Sequence, residues 1–255
     1  MFEVPVNAYV SVSTVAPQDQ ITRLAAPQPA NANPTLNWSL IAAPGYAFAN
    51  NSGVQLRAGA VAATDTAISL PYGNPFATTR SWHPVFTFAP TGSRSFTPTG
   101  SLPVSLFDQV FEVDDASTGP LTPTFTAGLP QAITLDTTPL VTDGLTVTLD
   151  PTMPISASFT TDVATNTLYQ LQVFELVPDA TNTTLQFSTR ITISAELPAF
   201  TIPPGIFEVG KTYTIRGICI SGSFPGLAQG DLTQRSLPFS VGLADAGVFT
   251  VMAPP

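Results

Sequence analysis

Apolar and polar residues alternate along this chain in short runs that end at Pro, Gly, Asn or Ser. The clearest runs are 6–14 (VNAYVSVST) and 168–176 (LYQLQVFEL), where a period of two places successive side chains on opposite faces of a β-strand. Similar runs predict further strands at 35–42, 54–60, 85–88, 102–113, 132–135, 145–149, 155–160, 185–193, 213–220, 238–241 and 248–251. Many short strands joined by turn residues predict an all-β protein of the sandwich type.

Helical periodicity is almost absent from the sequence. The best helical segment is the short run Thr22–Ala26, which is followed by prolines. Apolar stretches are interrupted every few residues, so none reaches the roughly 20 residues that a membrane-spanning helix needs. Residues 1–5 (MFEVP) have neither the basic nor the apolar part of a secretory signal. Two interpretations remain open: a cytosolic or virion-borne chain, or an exported bacterial protein whose signal has been removed.

The composition favours export and excludes several classes of function. Only 10 % of the 255 residues are charged, with 8 Lys and Arg against 17 Asp and Glu, which gives a net charge of −9. An acidic chain of this kind repels nucleic-acid phosphates, so we expect no nucleic-acid partner. One Cys and one His exclude a disulfide framework and a Cys/His zinc cluster. We therefore expect an extracellular or cell-surface protein.

A polar and turn-rich segment suggests where the chain divides. Residues 114–120 (DDASTGP) follow a long apolar strand and have the composition of a linker. We predict a first β-sandwich domain at 1–115 and a second at 116–255. Within the first domain, residues 71–84 are predicted to form an irregular loop rich in aromatic residues.

Three segments of the second half carry a family pattern. Residues 155–160 (ISASFT) and 168–174 (LYQLQVF) have the pattern of a second and a third strand, and 207–216 (FEVGKTYTIR) has that of the turn into a sixth strand. On these residues, the region from about 128 to 251 resembles a fibronectin type III or related immunoglobulin-like module. The resemblance implies a tyrosine corner at Tyr213, whose hydroxyl group bonds to the preceding loop. Alternation from Tyr213 places Ile215, Gly217 and Cys219 on one face and Thr214 and Arg216 on the other.

The sequence departs from that family pattern in three places. Phe159 stands where the module usually has Trp in its second strand, and the disulfide of antibody domains is absent. The region is also about 30 residues longer than a standard module, so it needs insertions or extra strands. For the first half, a second immunoglobulin-like sandwich is the default expectation.

Two loops are candidates for ligand binding. The loop 221–237, between the sixth and seventh strands, offers Phe224 as an apolar anchor and Asp231 and Arg235 as charged groups. Its alternative role is to pack on the first domain. In the aromatic loop, Tyr72 and Trp82 could stack on sugar rings. The alternative, which we favour, is that these rings fill the end of the sandwich or an interface.

Acidic residues near the linker suggest a cation site. Asp108, Glu112, Asp114 and Asp115 supply the oxygen ligands that calcium prefers, and a structural calcium there would stiffen the linker. The alternative, which we favour, is a solvated acidic linker, because the sequence has no EF-hand-type loop. We expect no other cofactor.

No catalytic constellation stands out. His83 is expected to pack on neighbouring aromatic rings, and Cys219 to be a buried small apolar residue. Three hypotheses follow. The first is a non-enzymatic adhesion, ligand-binding or scaffold protein that recognises a protein or a glycan. The second is a structural subunit of a virion, tail or surface layer that forms oligomers. The third is a carbohydrate-binding or carbohydrate-active accessory protein.

Overall fold

The computed structural model describes residues 8–13, 15–24, 29–43, 54–60, 67–72, 83–116, 120–163, 166–224 and 236–255. The described elements are α1 (Val15–Leu24), β1 (Ala8–Ser13), β2 (Ala32–Ala43), β3 (Val54–Ala60), β4 (Ala67–Tyr72), β5 (His83–Phe96), β6 (Val104–Asp115), β7 (Pro130–Leu135), β8 (Thr138–Pro139), β9 (Leu145–Thr148), β10 (Ile155–Thr161), β11 (Leu168–Pro178), β12 (Leu185–Ala195), β13 (Ala199–Ile202), β14 (Thr212–Ser223), β15 (Ser236–Asp245) and β16 (Phe249–Met252). The protein is therefore all-β, as its sequence predicts. Among the described residues no helix has the length and apolar character needed to cross a membrane.

The strands form three sheets. The largest has ten strands, eight of them in the order β12-β11-β14-β15-β6-β5-β2-β3, while β16 pairs with β14 and β9 pairs with β16. The second has the order β13-β10-β7-β8, and the third is the ribbon β1-β4. Neighbouring strands are antiparallel except β9 and β16, which are parallel. The antiparallel pairing explains the alternation in the sequence, since one face of each strand can be buried while the other is polar.

The four-stranded sheet packs face to face on one part of the large sheet. Their apolar side chains form a single cluster, which we call the sandwich core. Its larger members are Leu135, Phe159, Phe200, Leu171, Tyr213, Ile215, Phe207 and Phe249. Because these residues come from both sheets and are nearly all inaccessible to water, this part of the protein is a β-sandwich.

Helix α1 covers the other part of the large sheet. It packs against β5, β2 and β6, and its Leu24 joins an apolar cluster that includes Leu40, Phe86 and Phe88. Residues 121–129 complete this cluster through Leu121, Phe125 and Leu129. The sequence predicts only a short helical run at 22–26, whereas the helix begins seven residues earlier. Pro17 does not prevent this, because the first turn of a helix tolerates proline.

The segment leading into β7 crosses the large sheet at very close range. A Cβ atom on Gly242 of β15 would lie 2.0 Å from the carbonyl oxygen of Gly128. Any side chain at position 242 would therefore collide with backbone. This contact fixes where the chain passes from the large sheet to the small one.

Two smaller apolar clusters complete the large sheet, and the first of them lies on the face opposite the helix and the small sheet. One contains Ile218, Ile220, Phe224 and Phe239, together with other residues of β5, β6, β11 and β15. The other joins the start of β6 to β11 and β12 through Leu106, Leu176 and Leu185. The large sheet is therefore covered on both faces over much of its described length.

The predicted environment of Tyr213 is confirmed. The backbone N–H of Glu208 donates to the Tyr213 hydroxyl oxygen over 2.9 Å, which ties β14 to the preceding turn. Ile215 and Cys219 share the sandwich core with Tyr213, and Gly217 faces Phe159 across the two sheets. Burial raises the pKa of the Tyr213 hydroxyl group.

The described strands match the predicted ones closely, with a few differences. The strands β4, β8 and β13 were not predicted, and β5 continues eight residues beyond the predicted end at Phe88. The sequence after Phe88 (APTG) has the composition of a turn. In the fold, pairing to β6 skips from Phe88 to Thr91, and β2 supports the strand from its other side at Pro90. Tertiary pairing thus outweighs the local signal.

The predicted aromatic loop at 71–84 is wrong at its ends. Pro71 and Tyr72 belong to β4, and His83 and Pro84 begin β5. Residues 73–82 lie outside the described residues.

The hydrogen-bonded sheet continues across the predicted domain boundary at 115/116. Strand β6, from the first half, pairs with β15, from the second, through five residue pairs from Phe239–Val113 to Leu243–Gln109. Both halves of the chain therefore contribute strands to one sheet.

Candidate functional site

Most of the buried charged side chains lie where β5, β6 and β15 meet. Residues two apart on a strand share a face, so Asp108 lies on the same face of β6 as Leu106 and Val110. All three are completely buried. A carboxylate at such a position is costly unless hydrogen bonds and opposite charges compensate it. Asp108 and the polar side chains around it form what we call the polar junction. Its members are Asn31, Arg94, Asp108, Asp143, Arg216 and Asp245.

Asp108 is held by hydrogen bonds from two parts of the chain. Its Oδ2 accepts from Asn31 Nδ2 over 2.5 Å, and its Oδ1 accepts from the backbone N–H of Asp245 over 2.9 Å. Asn31 Nδ2 also lies 3.3 Å from the carbonyl oxygen of Leu24 at the end of α1. Asp108 thus joins the segment before β2 to β6 and β15.

Arg94 of β5 joins three parts of the chain at the polar junction. Its Nη2 donates to the carbonyl oxygens of Asp245 and Ala246, each over 2.8 Å. Its Nε lies 3.3 Å from Asp143 Oδ2, and Asp143 Oδ1 accepts from the backbone N–H of Val248 over 2.9 Å. One guanidinium therefore ties β5 to the end of β15 and to the loop before β9.

Arg216 and Asp245 form a pair directly opposite each other on β14 and β15. Nε of Arg216 lies 2.7 Å from Asp245 Oδ1, and Nη2 lies 3.0 Å from Oδ2. The guanidinium also lies over the rings of Phe107, Phe174 and Phe187, 4.4, 5.2 and 5.4 Å from their centres. Aromatic faces attract cations, so the rings and the carboxylate together compensate the buried charge.

The same carboxylates replace backbone pairing where two strands separate. Pairing of β15 with β6 ends at Leu243 and Gln109. Beyond it, Asp245 Oδ2 accepts from the backbone N–H of Phe107 over 3.0 Å, and Asp108 accepts from the backbone N–H of Asp245. Buried N–H groups need acceptors. The two carboxylates supply them at the point where the ladder stops.

Burial changes the acidity of two carboxyl groups on β6. It raises the pKa of Asp108 to about 6, although hydrogen bonding by Asn31 and the charge of Arg94 oppose the change. Burial also raises the pKa of Glu112, whose carboxylate accepts from the backbone N–H groups of Thr124 and Phe125. Both groups are neutralised more easily than ordinary acids.

The structure separates two residues of the predicted calcium site, Asp108 and Glu112, and brings Glu112 and Asp114 into hydrogen-bond contact. Asp108 and Glu112 lie on one face of β6 four residues apart, which corresponds to about 13 Å along a strand. Their oxygens accept hydrogen bonds from Asn31 and from backbone amides. Asp114 is half-buried, and the side chain of Asp115 lies outside what the structure describes. Within the described residues, no group of three or more His, Cys, Asp or Glu side chains is placed to hold a metal ion.

The predicted ligand-binding residues are only partly visible. Phe224 is 7 % exposed and packs in the cluster with Ile218 and Phe239, so its ring contributes to packing. Asp231, Arg235 and Trp82 lie outside the described residues. Tyr72 ends β4 opposite Ala8, and its side chain also lies outside them. The two ligand-binding predictions stay predictions.

The prediction for Cys219 is confirmed, and that for His83 is not tested. Cys219 is completely buried in the sandwich core, and burial raises the pKa of its thiol to about 12. A thiol of this kind remains protonated and is a poor nucleophile. The side chain of His83 lies outside the described part of the chain.

Sequence reasoning selected Asp108 but not its partners. Arg94, Asp143 and Asp245 come from distant parts of the chain, and only the fold brings them together. Arg216 was placed on the correct face but was given no role. One signal was available in the sequence. Asp108 occupies a position on its strand where alternation predicts a buried apolar residue, and a charged residue at such a position is expected to be buried with a partner.

This arrangement can hold strands together and can bind a proton, as far as the described residues show. Comparison of the chain with protein-family models and with curated proteins gives no match.

Proposed function

We propose that this protein is a non-enzymatic adhesion, ligand-binding or scaffold protein that acts outside the cell or at its surface. The observation that carries the proposal is the use of its buried acids. Asp108, Glu112 and Asp245 each accept hydrogen bonds from backbone amides, and Asp245 is paired with Arg216. These carboxylates stabilise the framework, which is the role expected of charges in a rigid support.

The sheet fixes both ends of the segment between β14 and β15. Ser223 and Ser236 are paired at the ends of these strands, and Phe224 is buried directly after Ser223. Both ends of the intervening segment are therefore fixed by the sheet, while the residues between them carry Asp231 and Arg235. We propose that this loop contacts the ligand. The facing sheets and the Tyr213 hydroxyl bond support a fibronectin type III-like classification of this half.

Binding is tested with the intact chain on a glycan array and a protein array. We expect a signal that is lost in Asp231→Ala and Arg235→Ala and retained in Asp136→Asn, an exposed change far along the chain. A signal that depends on Trp82 and not on the loop would favour the carbohydrate-binding hypothesis instead.

The absence of catalysis is tested separately. We expect no turnover of a broad panel of glycoside, ester and peptide substrates. Robust turnover that disappears when one acidic residue is replaced would contradict the proposal.

A second candidate is a structural subunit of a virion, tail or surface layer. It is favoured by strand β3, which pairs only with β2 among the described residues and is exposed at Gln55 and from Arg57 to Ala60. An exposed strand edge can pair with another chain. Size-exclusion chromatography with light scattering tests this candidate, and a monomer at micromolar concentration would contradict it.

A further inference from the structure

The polar junction contains one more carboxylate than it has guanidinium groups. Arg216 is paired with Asp245 over 2.7 Å, and Arg94 with Asp143 over 3.3 Å. Asp108 is the third carboxylate, and its closest guanidinium nitrogen, Arg94 Nη1, lies 3.9 Å away. The cluster thus holds one negative charge in excess, and Asp108 is the carboxylate with the weakest ion pair.

Hydrogen bonding around Asp108 is also incomplete. The Asn31 Oδ1 and Arg94 Nη1 atoms are buried and have no hydrogen-bond partner among the described residues. Asn31 directs its Nδ2 at Asp108, which leaves its carbonyl oxygen unused. The distance between Asn31 Nδ2 and Asp108 Oδ2 is 2.5 Å.

A proton on Asp108 removes the excess charge of the polar junction. The charge of the cluster becomes balanced, because Asp143 and Asp245 keep their guanidinium partners.

We propose that Asp108 is a proton-linked latch of the polar junction, in which uptake of one proton removes the excess buried charge and stabilises the folded protein. This inference does not depend on the proposed function. The latch responds to mild acid of the kind met at acidic surfaces or in acidic compartments.

The groups packed around Asp108 act on its protonation in opposite directions, and burial outweighs the rest. Strand β5 contributes Arg94, which opposes protonation, and β15 contributes Asp245, whose charge favours it. The segment before β2 contributes Asn31, whose hydrogen bond opposes protonation, as does the backbone N–H of Asp245. Burial has the largest effect, and it raises the pKa of Asp108 from 3.8 to about 6.

The sign of the effect on stability follows from this direction. The folded protein binds the proton more tightly than the unfolded chain does, so stability is gained as pH falls through about 6 and lost as pH rises. With these two pKa values, the folding equilibrium constant of the intact chain rises about tenfold between pH 7.5 and pH 5.

The experiment is urea unfolding of three proteins across that pH range: the unchanged chain, Asp108→Asn and Asp136→Asn. Both variants lose one negative charge, but Asp136 is exposed. We expect Asp136→Asn to keep the tenfold gain from Asp108 and Asp108→Asn to lose it. Glu112 is present in all three proteins, so its own titration cancels in the comparison. Equal pH dependence in the two variants would overturn the proposal.

A second measurement uses the unchanged chain in case Asp108→Asn does not fold. Carbon-13 NMR of the aspartate carboxyl groups should show one group titrating near pH 6, together with a shift of the Asn31 side-chain amide signals over the same range. Titration of every aspartate below pH 4.5, or an Asn31 signal that does not change, would overturn the latch.

Discussion

The sandwich core and the polar junction are both buried, but they are stabilised by different interactions. The core is built from rings and branched side chains such as Phe249, Phe207 and Ile215, which contact one another without charge. The junction is built from Asp108, Arg94 and their partners, which depend on particular atoms at particular distances. Apolar burial is non-directional and insensitive to pH, whereas a buried ion pair must be complete to be tolerated. The comparison predicts that the two regions respond differently to substitution and to acid.

The largest loss of stability is expected in the sandwich core. Phe249→Ala removes a completely buried ring that packs on Phe207 and Tyr213. Truncation of this kind costs about 4 kcal/mol of unfolding free energy, because it removes apolar contacts and leaves a cavity. Met252→Ala, in the same strand but 52 % exposed, is the control and should cost less than about 0.5 kcal/mol. Similar losses in both variants, measured by urea unfolding, would contradict the location of the core.

A somewhat smaller loss is expected when the junction is broken on one side. Arg216→Met keeps the bulk between Phe107, Phe174 and Phe187 but leaves Asp245 without its cation. Removing one partner of a buried ion pair costs about 3 kcal/mol. The double variant Arg216→Met with Asp245→Asn should cost less than the sum of the two single changes, because the uncompensated charge is gone. Simple additivity in this double-mutant cycle would show that the two residues are not coupled.

The tyrosine hydroxyl bond has a smaller effect, since it is a single hydrogen bond within an apolar region. Tyr213→Phe removes the acceptor for the Glu208 N–H group and should cost about 1 kcal/mol. Tyr169→Phe is the comparison, because its hydroxyl is 3.4 Å from Asn166 Nδ2 and forms a weaker bond. Thermal unfolding should therefore show the larger decrease for Tyr213→Phe, and the reverse order would contradict the corner.

The smallest expected effect concerns Asp179, an exposed acid. It is a change in how the stability of the protein depends on pH. Hydrogen bonds from Thr181, Thr183 and Thr184 lower the pKa of Asp179 to about 2. Its contribution to stability is present above about pH 4 and is lost as pH falls toward 2, which is opposite to the behaviour expected of Asp108. Asp179→Asn should therefore flatten the acid limb of the stability curve slightly. If the limb does not change, the turn around Asp179 is not formed in solution.

Local alternation was enough to predict much of this protein. The run 155–160 matches β10 almost residue for residue, because a strand with one buried face must alternate. The run 54–60 matches β3. The hydroxyl bond of Tyr213 was implied by the resemblance of 207–216 to the fibronectin type III turn, and it agrees with the need of a buried tyrosine for a partner. The continuation of β5 through Pro90 was not, because its support comes from β2 and β6, which flank it in space.

The sequence by itself determined that the chain forms short strands and which positions of each strand are apolar. These properties depend on residues within a few positions of each other. Only the tertiary structure decided that β6 and β15 share one sheet and that Arg94, Asp143 and Asp245 meet around Asp108. The physical reason is that a charge is tolerated in the interior only when its partners arrive from elsewhere in the chain, and no local pattern encodes which residues those will be.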